Sequence, residues 1–276
     1  MGVEGKEFPD VSFEGNSKYR GAPVTELGGR SFELLLDNGK QGALVFHSGM
    51  LLTWRPVGGK AHTERYDCLK ADEDTYFVNI EPKDYHPRTG IVLVMDLEQS
   101  LVTVLLSRQE VDRRYPDKVV NEFVFGAIRR PDGSVPVKRH GFTSDLVGCR
   151  IRWRYSDSFA VSHVYYDARY MRMPVPSREK DPERWEIFHK NPYDVTCSYV
   201  KIKKNIYFVS FIEDFTQTRG RVGSSLTLLM DISRLHDVGR SYGTWAGRWE
   251  NYLFSAVGTW EEPTEEDLNP ESPYRV

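Results

Sequence analysis

The feature that most constrains the fold of this chain is an internal repeat. Five short blocks, made mainly of apolar and aromatic residues, recur in the same order in the two halves of the chain. Such a repeat predicts two copies of one folding unit rather than one large domain. We therefore predict domains at 20–130 and 140–258, joined by a turn-rich linker at 129–140. The blocks pair 27–37 with 146–156, 53–57 with 171–175, 76–81 with 207–213 (with one inserted residue), 91–96 with 226–231, and 122–128 with 251–257.

Within each copy, short runs of β-branched and aromatic residues alternate with turn residues. Runs of this kind, bounded by Gly, Pro, Asp and Asn, are typical of antiparallel strands. Helical periodicity is nearly absent, and the best candidates for helical turns are 182–189 and 109–114. We predict an all-β protein of two tandem antiparallel β-barrels with few short helices, followed by an acidic, extended or disordered tail at 259–276. The predicted strands are 31–36, 43–46, 75–80, 91–95, 101–106, 150–155, 161–166, 207–212, 226–230 and 252–257.

Composition excludes several classes of function. Apolar residues make up 39% of the chain and Gly adds 22 residues, as in ordinary globular proteins, which argues against disorder. The formal net charge of −3 argues against nucleic acid as the main partner. Because no apolar stretch approaches the roughly 18 residues that cross a bilayer, we expect no membrane partner and a cytoplasmic location.

Motifs for metals, nucleotides and covalent catalysis are missing from the sequence. The three cysteines, Cys68, Cys149 and Cys197, have no spacing typical of a disulfide scaffold or a thiolate metal site. The run Asp84-Tyr85-His86 has no second His at ligand spacing. Neither a phosphate-binding Gly motif nor a Ser or Cys nucleophile signature occurs. We therefore expect no metal and no cofactor.

Two short motifs of the first copy resemble a known family. His47-Ser48-Gly49-Met50 followed by Trp54, and Ile80-Glu81-Pro82 at a strand end, resemble the phenolic acid decarboxylases, small lipocalin-like barrels of the calycin group. The duplicated layout is similar to the MoaF-like proteins, which carry two such domains. The resemblance covers 27–257 and implies two tandem lipocalin-like (calycin) barrels. The MoaF name implies molybdenum cofactor biosynthesis, but no pterin- or nucleotide-binding motif supports that role.

The decarboxylases that the chain resembles use no cofactor and place a Tyr-x-Tyr pair, an Arg and a Glu inside one barrel. The Tyr and Arg side chains hold the substrate carboxylate, and the Glu transfers a proton to give a quinone methide that loses carbon dioxide. At these four positions the second copy has Trp153, Tyr155, Arg172 and Glu213. The first copy has Leu34, Leu36, Trp54 and Glu81. The second copy keeps three of the four residue types, so we place the reactive cavity in the C-terminal half.

Strand periodicity predicts which side chains line that cavity. In the run 150–155, Ile151, Trp153 and Tyr155 should face the barrel interior and the three arginines should face solvent. If Arg172 and Glu213 join that interior, the cavity holds a charge pair in an aromatic wall, as small-molecule sites do. Burial raises the pKa of a carboxyl group and a nearby Arg lowers it, so both an acid and a base role for Glu213 stay open.

These residues lead to a functional hypothesis with open alternatives. We predict a cofactor-independent enzyme that decarboxylates, isomerises or cyclises a small phenolic, enol or polyketide-like substrate by Glu proton transfer. The alternatives are a secondary-metabolite cyclase that acts by shaping its substrate, and a non-catalytic carrier of a small apolar or aromatic molecule. The paired barrels either imitate a dimer or form a homodimer. The catalytic candidates are Glu213, Arg172 and Tyr155, and the substrate-binding candidates are Trp153, His163, Tyr165, Glu81 and Trp54.

Overall fold

The chain folds almost entirely into β-strands. The computed structural model describes residues 18–83, 87–110, 118–157, 159–174, 193–214, 223–245 and 248–269. Within these ranges there are seventeen strands and one short helix, and no helix there is long and apolar enough to cross a membrane. The helix candidate at 182–189 lies outside the described residues, as does most of 109–114.

The first eight strands form a closed antiparallel barrel, which we call the N-terminal barrel. Its strands are β1 (Ser31–Leu36), β2 (Gln41–Phe46), β3 (Leu51–Pro56), β4 (His62–Lys70), β5 (Thr75–Ile80), β6 (Thr89–Asp96), β7 (Leu101–Gln109) and β8 (Val119–Ile128). Each strand pairs with the next, and β8 returns to β1, where Leu34 is opposite Ile128. Closure leaves no unpaired strand edge, which removes the main site of sheet aggregation.

The remaining strands form a second closed barrel, the C-terminal barrel. These are β9 (Gly141–Phe142), β10 (Cys149–Arg154), β11 (Ala160–Tyr165), β12 (Tyr170–Met173), β13 (Tyr193–Lys203), β14 (Ile206–Asp214), β15 (Gly223–Asp231), β16 (His236–Trp245) and β17 (Arg248–Glu261). Strands β10 to β17 close the barrel, because β10 pairs with β17 and β12 pairs with β13. Strand β9 is a short addition beside β13. The expected architecture of two tandem all-β barrels is confirmed.

The two barrels share one hydrogen-bond register. Gly29 donates its backbone N–H to the carbonyl of Phe46 at 2.7 Å, and Gly148 donates to Tyr165 at 2.8 Å. Both glycines have positive φ, 80° and 93°, where residues with a Cβ are strained. Strands β1 to β8 therefore correspond in order to β10 to β17. The strand pairs that close the two barrels agree with this correspondence. Leu34 of β1 is opposite Ile128 of β8, and its equivalent Trp153 of β10 is opposite Gly258 of β17.

The register corrects the sequence alignment by one residue at β3 and β12. Counting back one residue from Phe46 and Tyr165, Val45 corresponds to Val164. Val45 is opposite Thr53, and Val164 is opposite Arg172. Arg172 therefore corresponds to Thr53 and not to Trp54. On a strand, a shift of one residue moves a side chain to the opposite face.

A similar correction applies at the ends of β5 and β14. Thr75 is opposite Asp96 and Ile206 is opposite Asp231, and both pairings continue without interruption to the strand ends. No residue is inserted in β14, so Glu81 corresponds to Ile212 and Glu213 corresponds to Pro82. The assumed equivalence of Glu81 and Glu213 is wrong.

Three apolar cores hold the molecule together. One lies inside the N-terminal barrel, a second lies inside the C-terminal barrel, and the third lies between the outer faces of the two barrels. In the third core, Phe77 contacts its equivalent Phe208 edge to face at 6.1 Å. The barrels therefore pack back to back through equivalent strands.

Polar contacts at the interface repeat about an approximate twofold axis. The Asn79 amide donates to Asn251 at 3.2 Å, and the Asn121 amide donates to Ser210 at 2.8 Å. Asn79 corresponds to Ser210. The register also moves the predicted pairing of 122–128 with 251–257 by one residue, so that Asn121 corresponds to Asn251. Each contact is therefore the counterpart of the other. Such an exchange is the hallmark of an isologous dimer interface, here built within one chain.

The C-terminal tail is more ordered than the sequence suggested. Strand β17 continues to Glu261, and helix α1 (Glu265–Leu268) follows with a capping box at its start. Arg150 binds Glu261 at 2.8 Å and Asp267 at 2.6 Å, which fixes α1 on the outer face of the C-terminal barrel. The described part of the tail, 259–269, thus has three strand residues and one helical turn, and the turn was not expected from the sequence.

Candidate active site

Strand β10 presents an aromatic row to the interior of the C-terminal barrel. Ile151, Trp153 and Tyr155 are buried, while the arginines between them are partly exposed, in line with a period of two. The ring of Tyr155 stacks on Phe159 and meets Phe254 edge to face, both at 5.4 Å. These contacts hold the Tyr155 ring in a fixed orientation.

Strand β11 adds His163 and Tyr165 to the same interior. Trp153 Nε1 donates to the Tyr165 hydroxyl at 3.3 Å, and that hydroxyl lies 3.4 Å from both Met230 Sδ and His163 Nδ1. The His163 ring packs edge to face on Phe211 at 5.6 Å. Burial lowers the pKa of His163 to about 3, so its imidazole is neutral at physiological pH.

Glu213 lies near the end of β14 and faces the same interior. The alternate residues before it, Val209 and Phe211, belong to the barrel core, and Glu213 is 6% exposed. Burial raises the pKa of Tyr155 well above its usual value, and the negative charges of Asp237 and Glu213 raise it further. Glu213 and Tyr155 therefore face the same interior.

Asp237 is an interior carboxyl group that sequence reasoning missed. It is fully buried on β16; its Oδ1 accepts the Ala256 backbone N–H at 2.6 Å, and its Oδ2 has no hydrogen-bond partner among the described residues. Burial raises its pKa well above the usual value, although the Ala256 hydrogen bond opposes this. The larger residues of β16 alternate with Asp237 and face the other barrel. From the sequence, these larger residues would be taken as the interior face of β16 and Asp237 as part of the outer face.

Arg172 lies outside the barrel. Its neighbours Met171 and Met173 belong to the interior core, so Arg172 faces the opposite side. There it binds Asp194 through two hydrogen bonds of 2.8 and 3.2 Å, and this bond raises the pKa of Arg172, with a smaller contribution from Glu266 of α1. The prediction that Arg172 shares the interior with Glu213 is wrong, because the alignment was shifted by one residue.

Glu81 and Trp54 do not share a site either. Glu81 lies on the outer side of the N-terminal barrel, where it accepts hydrogen bonds from Trp249 Nε1 at 3.2 Å and the Asn251 amide at 2.9 Å. Trp54 packs, partly buried, against the interior core of the N-terminal barrel. The structure brings neither residue to Glu213.

The interior of the N-terminal barrel has apolar residues wherever the C-terminal barrel has this set of polar and aromatic ones. The equivalent pairs are Trp153 and Leu34, Tyr155 and Leu36, His163 and Leu44, Tyr165 and Phe46, Glu213 and Pro82, and Asp237 and Val102. Because the N-terminal barrel closes without them, the fold itself does not require these polar side chains.

No buried cation faces the described interior of the C-terminal barrel. Among the described residues, the buried Arg and Lys side chains are Arg172, on the outer face, and Arg240, between the barrels. The described residues also include no cluster of three His, Cys, Asp or Glu side chains that could hold a metal ion. The interior therefore combines two carboxyl groups with phenols and a neutral imidazole.

The fold and this interior define a tandem lipocalin-like barrel protein with a polar, aromatic interior in its second barrel. The family model of the MoaF N-terminal domain matches residues 11–110, and that of the MoaF C-terminal domain matches residues 140–261. The chain therefore belongs to the MoaF family, as the sequence resemblance implied. A search of curated proteins finds no match to the chain.

Proposed function

We propose that the C-terminal barrel binds a small neutral phenol or enol and catalyses a proton shift that isomerises or cyclises it. Glu213 moves the proton, and Tyr155 orients the substrate oxygen. The observation that carries the proposal is the contrast between the two interiors, since Glu213 and Asp237 are buried at positions where the equivalent barrel has Pro82 and Val102. Buried titratable groups that the fold does not need are typical of catalytic sites.

The charges of the interior favour a neutral substrate over a carboxylate. The decarboxylases that the chain resembles hold the substrate carboxylate with an Arg, whereas Arg172 faces away from this interior. A substrate carboxylate inside the barrel would approach Glu213, and no buried Arg or Lys side chain of the described interior would offset the two charges. Like charges in a medium of low dielectric constant repel strongly. We therefore favour isomerisation or cyclisation over decarboxylation.

Protonation states support proton transfer by one carboxyl group. Burial raises the pKa values of Tyr155 and Tyr165 above their usual value of 10, so both phenols stay protonated and can donate hydrogen bonds at neutral pH. Burial also raises the pKa of Asp237, which favours its protonated form. Donors aimed at an oxygen that gains negative charge stabilise the transition state. Glu213 then removes the proton from carbon, and the enolate oxygen accepts a hydrogen bond from a neighbouring donor.

The experiment is deuterium incorporation in heavy water, with para-hydroxyacetophenone as the first probe of a panel of neutral phenolic ketones. Removing an α-proton and returning a deuteron labels the probe's methyl group, which NMR detects. We expect exchange above the buffer rate, and Glu213→Gln should reduce it by about 10²- to 10⁴-fold. The matched control, Glu81→Gln, should retain full exchange because Glu81 faces the interface.

Three outcomes would overturn the proposal. If Glu213→Gln retains full exchange, Glu213 does not move the proton. If the native protein forms an isomerised or cyclised product that Glu213→Gln also forms at the same rate, the barrel acts by shaping its substrate. If the native protein binds every probe and exchanges none, it is a carrier.

A further inference from the structure

The two ends of the interface between the barrels are equivalent in position but differ in chemistry. At the first end, Ser107 Oγ lies 3.4 Å from Ser225 Oγ. At the second end, the equivalents are Tyr242 and Gly90, and a Cβ added to Gly90 would come within 2.5 Å of the Tyr242 ring. At the second end, therefore, the Tyr242 ring packs against the backbone of Gly90. At the equivalent place of the first end, the hydroxyl groups of two serines face each other.

The second end also has an aromatic and a charged residue where the equivalent positions of the first end are apolar. Trp249 and Glu81 correspond to Val119 and Ile212 at the first end. Arg88 lies over the Trp249 ring with its guanidinium carbon 4.7 Å from the ring centre. A guanidinium stacked on a ring keeps its in-plane N–H groups free and held in one orientation, which suits two parallel hydrogen bonds to an anion.

Arg240 places a positive charge directly behind this end. It is fully buried where the N-terminal barrel has Leu105, and it donates to Ser107 at 2.7 Å and to Asn79 at 3.4 Å. Its Nε has no hydrogen-bond partner among the described residues. Burial lowers the pKa of Arg240 to about 9, so it is still charged at neutral pH. Its guanidinium carbon also lies 4.7 Å from the centre of the Tyr242 ring, but Arg240 forms no ion pair with a described residue. Burying a cation without an ion-pair partner costs free energy, and Leu105 fills the equivalent place without that cost.

A cleft of about 550 Å³ opens at the second end between residues of both barrels. Arg65, Lys83 and Arg88 line it with exposed side chains, and within the described part of the chain none of them forms an ion pair. The acidic residues of the cleft are Asp67 and Glu81, and Glu81 already accepts two N–H groups. With Arg240 behind the wall, the summed charge of the cleft is positive, which attracts anions.

We propose that this cleft is a second binding site, specific for a small anion that carries a carboxylate or phosphate group. The guanidinium of Arg88 binds the anion through two N–H groups, and Arg65 and Lys83 contribute the rest of the charge. Asn79 lines the cleft and touches Arg240, so it links the buried cation to the bound anion. The site is separate from the C-terminal barrel interior and does not depend on the function proposed for it.

The test is titration calorimetry of the full chain with three probes: inorganic phosphate, benzoate, and neutral benzyl alcohol. We expect at least one anion to bind, more weakly at higher salt, and the alcohol not to bind at this site. Binding of phosphate alone identifies a phosphate ligand, and binding of benzoate alone identifies a carboxylate. Arg88→Ala should weaken anion binding by about 10-fold or more, and Arg240→Leu should weaken it several-fold while circular dichroism shows an intact fold.

The control is Arg55→Ala, which removes an exposed arginine of β3 outside the cleft and should leave the affinity unchanged. Glu213→Gln should also leave it unchanged, which separates this site from the barrel interior. The proposal is overturned if neither anion binds at about 10 mM, a limit of weak affinity, or if Arg88→Ala and Arg55→Ala bind equally well.

Discussion

The two barrels have the same hydrogen-bond register, are closed by equivalent strand pairs and repeat each other in sequence, yet their interiors differ. The N-terminal interior has Leu44 and Val102 where the C-terminal interior has His163 and Asp237. Both barrels close, so inward apolar side chains at every second position are sufficient for this fold. The polar residues of the C-terminal interior therefore need a reason beyond folding, and the proposed substrate chemistry supplies one.

The outer faces of β3 and β12 differ in the same way. Thr53 is opposite Thr63, and their hydroxyl oxygens lie 2.6 Å apart. At the equivalent place Arg172 is opposite Asp194, and the two side chains form a buried ion pair. One backbone arrangement thus accepts a neutral or a charged cross-strand pair, and the two pairs should differ in the cost of breaking them.

The largest effect should follow from breaking the charged pair. Arg172→Met leaves Asp194 buried without its partner and should lower the free energy of unfolding by about 3–5 kcal/mol. The matched variant Thr53→Val loses neutral hydrogen bonds and should cost about 0.5–1.5 kcal/mol. Urea denaturation measures both, and equal losses would contradict the assignment of Arg172 to a structural ion pair.

The next effect concerns His163, whose pKa is lowered by burial from 6.5 to about 3. Between these pH values the unfolded chain binds a proton that the folded chain does not, so stability falls as the pH falls. From pH 6.5 to pH 4 this group should remove about 3 kcal/mol. His163→Leu, which copies Leu44, should lack that part of the loss. The control is His47→Gln, which changes an exposed histidine. If the free energy of unfolding depends on pH in the same way in His47→Gln and His163→Leu, the prediction is refuted.

A smaller effect of opposite sign concerns Asp237, whose pKa is raised by burial. Above the ordinary value of 3.8 the unfolded chain releases a proton that the folded chain keeps, so this group lowers stability as the pH rises. Asp237→Asn keeps an acceptor for Ala256 and should be more stable than the native protein at pH 8, because Asn has no proton to lose on unfolding. This stability advantage should vanish below pH 4. Thermal unfolding of both proteins at both pH values measures it, and an advantage that is the same at both values would contradict the prediction.

The smallest effect on stability is expected for Tyr165→Phe, which copies Phe46 of the N-terminal barrel. The lost hydroxyl makes only long hydrogen bonds of 3.3–3.4 Å, so the change should be under about 1 kcal/mol. Deuterium exchange into the phenolic ketone should nevertheless slow, because the hydroxyl belongs to the polar interior. A variant with unchanged exchange would remove Tyr165 from the site.

The sequence was sufficient for the architecture because turns and repeats are local signals. Strand β1 occupies its predicted residues 31–36, and β5 its predicted residues 75–80. Side-chain direction was harder, because β5 is buried on both faces: one faces its own barrel and the other the second barrel. Such a strand has no polar alternation to fix its register. This explains why Glu81 was placed inside a barrel. Strand β12 likewise has Met171, Arg172 and Met173 buried in succession, so its pattern did not show that Arg172 lies on the face opposite to that of Trp54.

The candidate site was predicted where alternation was clear and missed where the interface hid it. Strand β10 has exposed arginines between buried aromatics, so Trp153 and Tyr155 were placed correctly in the interior. On β16, Arg240 and Tyr242 are larger than Asp237 but face the other barrel. Only the packing of the N-terminal barrel against the outer face of β16 reveals that Asp237 points into the C-terminal barrel.

The most direct test of the central claim uses isotope-labelled methionine methyl groups in NMR. Met171, Met173 and Met230 belong to the C-terminal interior, and Met95 belongs to the N-terminal interior. On addition of para-hydroxyacetophenone, we predict shifts of the three C-terminal methyl signals and none at Met95, each assigned with a Met→Leu variant. Shifts at Met95 with the C-terminal signals unmoved would contradict the claim that the polar barrel binds the substrate.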